Sequence, residues 1–371
     1  MRLGGFQSAM VFLLGLLLFG AVVQSATAME TEWKSKVPAM FIFGDSLVDS
    51  GNNNYIEGFP LLPKANFVPY GETYFHKPTG RWCNGRLIFD FIAEYLSLPF
   101  PKPYLMPGSD PTRFKRGVNF GSASSGILDS TFASEGVINL SVQVKYYLNA
   151  IAELKGALGE DETCQILSES LFVFVTGNND VSEYVSNTTL QAQYSVEQFV
   201  ALLVSKLSTD IQTVMDTGAR KIIVGGMGPL GCVPRALASI GSKGPCLEIL
   251  NNISRQVDAS LLAYVKKMNA KMNTANLILT TSYQLAYTIT ENGTSLGFTT
   301  GNTACCGSGL YDGGAPACGV GNYTLCKDVY KYAYWDFVHL TERAYKIIAD
   351  SLWTGDTSTV YPVNIKQLAA S

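Results

Sequence analysis

Five short runs of aliphatic, aromatic and β-branched residues recur along the chain: VPAMFIFG (37–44), GVNFG (117–121), LFVFVTG (171–177), KIIVGGM (221–227) and NLILT (276–280). Each is nearly continuous in apolar residues and ends in Gly, Asp, Asn or Thr, the pattern of a strand buried on both faces. Between them the apolar positions recur every three or four residues, which predicts helices over 85–97, 141–156, 195–217 and 247–273. In the third of these, Phe199, Leu202, Leu203, Leu207, Ile211 and Val214 share one face. A last helix over 341–353 puts Ala344, Ile347, Ile348 and Leu352 together. Parallel neighbours need a crossover, so regular strand–helix alternation predicts an α/β fold: a doubly wound, three-layer α/β/α sandwich around a central parallel sheet.

The N-terminus lies outside that pattern. Residues 1–28 have a basic start at Arg2, an apolar stretch from Met10 to Val23 and Ala26-Thr27-Ala28 as a small-residue cleavage site, so they read as an export signal. Residues 29–371 then form a single domain. The signal's apolar core is too short to span a bilayer, and no later run is long and uncharged enough.

Composition narrows the partners. The net charge is −3 and the Lys and Arg residues are scattered, which excludes an electrostatic footprint for nucleic acid. Export changes the meaning of the eight cysteines, Cys83, Cys164, Cys232, Cys246, Cys305, Cys306, Cys318 and Cys326, for which disulfides become the default. The group Cys305, Cys306, Cys318 and Cys326 has no C-x-x-C pair and lacks the spacing of a zinc cage, so no metal is expected. It pins the Gly-rich loop 307–324. Five N-x-S/T sequons, at Asn139, Asn187, Asn252, Asn292 and Asn322, fit the same route and mark surface positions.

Open parallel sheets bind ligands at the carboxyl ends of their strands. There the first strand meets FGDSLVDSGNNN with Ser46, the second NFGSASSGIL, the third TGNNDV with Asn179, and beyond the last lies DFVH with Asp336 and His339. The chain has only two histidines, and His76 sits in a polar run. A serine hydroxyl needs a base, and the base needs a carboxylate to hold its ring, which makes Ser46, His339 and Asp336 the candidate catalytic set. A backbone N–H of Ser46, one from the 121–126 loop and the Asn179 amide are candidate donors to an oxyanion.

FGDSLVDSGNNN, GVNFGSASSGIL, TGNNDV and YWDFVHLTE, in this order, together with NGR, GPLGC and ACCG, resemble the signature blocks of the GDSL esterase/lipase family within the SGNH hydrolases, in its secreted plant-type branch. The resemblance covers essentially the whole mature chain. It implies a flavodoxin-like fold, Ser46 as nucleophile, Asp336 and His339 as its partners, and Asn179 as oxyanion donor. Where the family often has an oxyanion glycine this chain has Ser124, a replacement that a backbone donor tolerates if the local φ is negative. Leu340 stands where many members have proline.

Two other matches fail on context. GTSLG (293–297) fits a nucleophile elbow at Ser295, with Asp312 or Asp328 as partner, but no strand precedes it. GMGPLG (226–231) fits a dinucleotide loop, but Pro229 and Pro234 interrupt the helix such a loop needs, and Cys232 is expected to tie it to Cys246. The reading is therefore an extracellular hydrolase of the apoplast or cell wall, cleaving lipid, aryl or acetyl esters of a small-molecule, lipid or wall-polymer substrate through an acyl-serine, without cofactor and as a monomer. Attack by a second alcohol in place of water makes it an acyltransferase. Phe59, Phe67, Tyr70, Tyr74, Phe75, Tyr332, Tyr334 and Trp335 are candidates to line its acyl pocket. The alternative is a catalytically silent glycoprotein that binds lipid or carbohydrate, which leaves the complete relay without a purpose. A glycosidase needs two flanking carboxylates, and no such pair stands out.

Overall fold

The computed structural model describes residues 36–241, 245–274 and 276–371, so the expected export signal lies outside the described residues. The five apolar runs form β1 (Met40–Gly44), β2 (Gly117–Asn119), β3 (Leu171–Val175), β4 (Lys221–Gly225) and β5 (Leu277–Thr280). They assemble in the order β2-β1-β3-β4-β5, all parallel, and a C-terminal strand Val360–Tyr361 adds antiparallel to β5 at the edge. This is the flavodoxin-type order, which reverses direction between β1 and β3. β1, β4 and β5 are buried along their whole length, and β3 along all but its last residue, as crossover helices on both faces require.

Alternation along each strand sorts the core into two layers. On one face Phe41 stacks on Phe172 at 5.1 Å and Phe43 on Phe174 at 4.6 Å, while Tyr147 meets both Phe41 and Phe43 edge-on. Offset and edge contacts of this kind add to the area they bury. Helices Leu140–Leu158, Val196–Asp216 and Glu248–Met272 cover that face. The opposite face, which carries Met40, Ile42, Val173, Ile223 and Ile278, is reached by Ile88–Tyr95 packed on Glu342–Thr354, and by Ile365–Ala370 against β4. The architecture is the expected α/β/α sandwich.

The expected helices are present within a few residues, and their ends have chemical causes. Ser195 accepts from the Gln198 N–H while the Gln198 side chain accepts from the Ser195 N–H, a reciprocal cap at the start of Val196–Asp216. Helices at Glu160–Glu169, Asn178–Ser186 and Tyr283–Glu291 and the edge strand were not expected from periodicity. Loop 307–324 is pinned by Cys305–Cys326 and Cys306–Cys318, and Cys232–Cys246 ties the loop after β4, so all six candidate cysteines are bonded. The default pairing of all eight does not hold, because Cys83 is a buried thiol and Cys164 an exposed one. Among the sequons, Asn252, Asn292 and Asn322 are exposed, while half-buried Asn139 and Asn187 accept backbone N–H groups as helix caps.

Gly44 closes β1 at a φ of 147°, and a Cβ there would stand 1.9 Å from the Val175 carbonyl oxygen. That oxygen also accepts the Asp45 N–H at 3.1 Å, so the two strands cannot part locally without losing the turn that follows. Gly44→Ala is expected to cost about 3 kcal/mol or more, read as a lower urea midpoint with the slope unchanged.

Candidate active site

The switch between β1 and β3 opens a crevice at the carboxyl ends of the strands, and the four blocks meet there. β1 runs into a tight turn in which Val48 and Asp49 donate to the Asp45 carbonyl and Leu47 donates to Asp45 Oδ1 at 3.0 Å, which turns Ser46 outward at the rim. Asp49 then accepts from Gly51, Asn52 and Ala123, while Asn52 Nδ2 donates to the carbonyls of Asn119 and Gly121. Asn119 in turn donates to the Val48 carbonyl at 2.6 Å. These buried amides fasten the first block to the second. Asp180 ties the third block to the second by accepting from Ile127, Leu128 and Thr131.

His339 Nε2 lies 2.8 Å from Ser46 Oγ, although the two residues are 293 apart in sequence. The other ring nitrogen, Nδ1, lies 2.9 and 2.8 Å from the two carboxylate oxygens of Asp336. Asp336 also accepts from the backbone N–H groups of Val338 at 3.0 Å and His339 at 2.8 Å, so the carboxylate folds DFVH into a turn and holds the ring it serves. Burial works against the Asp336 charge, but the neighbouring His339 and these hydrogen bonds outweigh it and keep the carboxyl below its usual range. Cys305 and Cys306, both in disulfides, donate to the carbonyls of Tyr334 and Trp335 just before it. The Trp82 ring lies against the imidazole, centroids 5.1 Å apart.

Asn179, in the first turn of Asn178–Ser186, donates to the Ser125 carbonyl at 2.9 Å and faces the same cavity as Ser46 and His339. Neither the Ser46 nor the Ser124 N–H has an acceptor among the described residues. Ser124 departs from the expectation: its φ is 65°, in the left-handed region where glycine is usual, and it does not line the cavity. His76 is exposed, with Nδ1 3.1 Å from the Glu72 carbonyl.

Ser295 lies in an exposed helical turn, its hydroxyl donating to the Asn292 carbonyl, and a helix rather than a strand precedes it. The loop after β4 leads only into a 3₁₀ turn at Leu230–Cys232 and a six-residue helix at Pro234–Ser239, and Gly226, Gly228, Pro229 and Leu230 form one wall of the cavity. Periodicity gave no hint of that use, although the position after a central strand did. Of the eight aromatics expected to line the pocket, Tyr334 alone does so among the described residues. The cavity, about 150 Å³, is walled chiefly by aliphatic side chains such as Leu47, Ile88, Leu340, Ile348 and Leu352.

A hydroxyl, an imidazole and a buried carboxylate in line at the switch point of a parallel sheet make up the site of a serine hydrolase. The chain belongs to the GDSL-like lipase/acylhydrolase family, whose model matches residues 40–352. An Arabidopsis thaliana GDSL esterase/lipase is 35% identical over 98% of both chains. GDSL esterase/lipase 7 from the same organism is 35% identical over 90% of this chain and 92% of its own. GDSL esterase/lipase 6 is 32% identical over 98% of both.

Three buried aspartates around the site carry raised pKa values for one reason. Burial lifts Asp45 from 3.8 to about 7, and Asp49 and Asp180 to about 6, while their hydrogen bonds pull the other way. The folded chain therefore holds protons that the unfolded chain releases near pH 4, and stability falls as pH rises through 6 to 7. The depressed Asp336 acts oppositely, but only in more acidic solution. The urea midpoint is expected to be higher at about pH 5 than at about pH 8.

Proposed function

We propose that this chain hydrolyses carboxylic esters through an acyl-enzyme on Ser46, with His339 as general base and acid and Asp336 as the carboxylate that orients it. The single observation that carries this reading is the continuous line from Ser46 Oγ through His339 to Asp336, with 2.8 Å from the hydroxyl to Nε2. As Oγ attacks the carbonyl carbon, Nε2 takes its proton, and the tetrahedral oxyanion is met by the Ser46 N–H and the Asn179 amide. Ser124, with left-handed backbone and outside the cavity lining, has no donor role in this scheme. Collapse expels the alcohol, which receives the proton from Nε2, and water repeats the sequence to free the acid. An acceptor alcohol in place of water gives transacylation by the same steps.

The aliphatic lining supports an apolar acyl or aryl group on the acid side in preference to acetyl. An apolar cavity of about 150 Å³ accommodates roughly one benzene, or about six carbons. Three disulfides and five sequons support export after removal of residues 1–28, leaving 29–371 as one domain that works outside the cell as a monomeric glycoprotein.

A fluorophosphonate probe should label the protein once, and Ser46→Ala should abolish labelling and lower kcat by a factor on the order of 10³–10⁶, with Ser295→Ala unchanged. Absence of labelling in the native protein would favour the binding glycoprotein. Across p-nitrophenyl esters graded by chain length, kcat/KM should rise from acetate to a maximum near six carbons and decline beyond. A maximum at acetate contradicts the assignment of the cavity.

A further inference from the structure

Asp336 has no exposure to water, and its carboxylate is satisfied from two directions. Three of its donors belong to its own turn: the N–H groups of Val338 and His339 and the His339 ring. The fourth comes from 266 residues away, where the Tyr70 hydroxyl donates to Asp336 Oδ2 at 2.8 Å. Oδ1 takes both backbone N–H groups, Oδ2 takes the phenol, and Nδ1 lies within 2.9 Å of both oxygens. The tyrosine therefore fixes the rotation of the carboxylate about its Cβ–Cγ bond and shares the lone pairs that face the imidazole.

Tyr70 is itself immobilised. Its ring is buried and meets Phe67, Trp82 and Trp335 edge-on, at centroid distances of 5.4, 5.4 and 6.0 Å. Its N–H donates to the Phe67 carbonyl, and the next residue, Gly71 at a φ of 75°, donates to the Cys83 carbonyl. The same segment thus delivers a donor to Asp336 and, through Trp82, an aromatic wall to His339. Burial, followed by the Asp336 charge and hydrogen bond, holds the phenol far above its usual pKa, so it stays a donor at every working pH.

We propose that Tyr70 is a positioning residue of the relay, whose hydroxyl holds Asp336 and tempers its pull on His339, so setting the pH at which the imidazole is free to take the Ser46 proton. This rests on the assignment of Ser46, His339 and Asp336 above. A carboxylate that already accepts a phenol attracts the imidazolium less, so loss of the phenol makes the imidazolium more stable and moves the acid limb of activity to higher pH. The other titratable groups beside the pair are Asp45, Cys83 and Tyr345, which the substitution leaves in place.

Tyr70→Phe removes one oxygen atom. It is expected to lower kcat about tenfold with KM unchanged, and to raise the acid limb of kcat/KM by roughly half a pH unit. In an Asp336→Asn background the same change should have little further effect, because its partner is already altered. An unmoved acid limb, or an equal loss in both backgrounds, reduces Tyr70 to packing and overturns the proposal. If Tyr70→Phe does not fold, 3-fluorotyrosine placed at position 70 keeps the ring and donates more strongly, so the limb should move to lower pH; no movement overturns the proposal equally. Ser46→Ala run alongside separates the two failures, since a Ser46→Ala protein that retains turnover removes the relay itself and not merely its fourth member.

Discussion

An anion sealed from water must be surrounded by donors or lose its charge, and the Asp336 carboxylate is the place where this chain meets that requirement. The donors come from its own turn, from the imidazole and from a tyrosine in a distant loop. Meeting it fixes the ring of His339, and the ring in turn fixes where Ser46 can be useful. Two disulfides support the strand that leads into this turn, through N–H groups donated to its last carbonyls. Staples, aromatic wedge and relay form one mechanical unit.

The other side of the site is held by a different device. Where the relay uses charge, the Ser46 turn uses a lattice of buried amides and backbone carbonyls among Asp49, Asn52, Asn53, Asn119 and Ser122. Each such group would be costly alone, and together they satisfy one another. Gly44 lets β1 approach β3 closely enough for this lattice to begin at the strand end.

The five central strands were legible because a strand covered on both faces is written as an uninterrupted apolar run. Val360–Tyr361 was not, since two residues carry no period and their pairing depends on β5. Asn178–Ser186 reads as a turn because its start is polar and follows Gly177, which adopts a φ of 115° and begins the helix. The rarity of histidine pointed to His339, and the four blocks pointed to Ser46 and Asn179, which the fold brings to one cavity. Tyr70 left no local sign: a phenol 266 residues from its partner belongs to no motif that spacing can reveal. The same is true of four aromatics expected in the acyl pocket, Phe67, Tyr70, Tyr332 and Trp335, which instead pack around the disulfide-bonded cysteines. The left-handed conformation of Ser124 leaves no sign in the sequence, because it depends on the loop around the serine rather than on the residue's own preference.

Ser46 and His339 stand 293 residues apart, near opposite ends of the folded domain. A polypeptide still being synthesised therefore carries its hydroxyl long before it carries the base that would activate it. The imidazole follows the five parallel strands in the chain and precedes only the edge strand Val360–Tyr361 of that sheet. Under the proposed relay, the order in which the chain is made acts as a safety catch, since a product terminated before residue 339 carries the hydroxyl without its base.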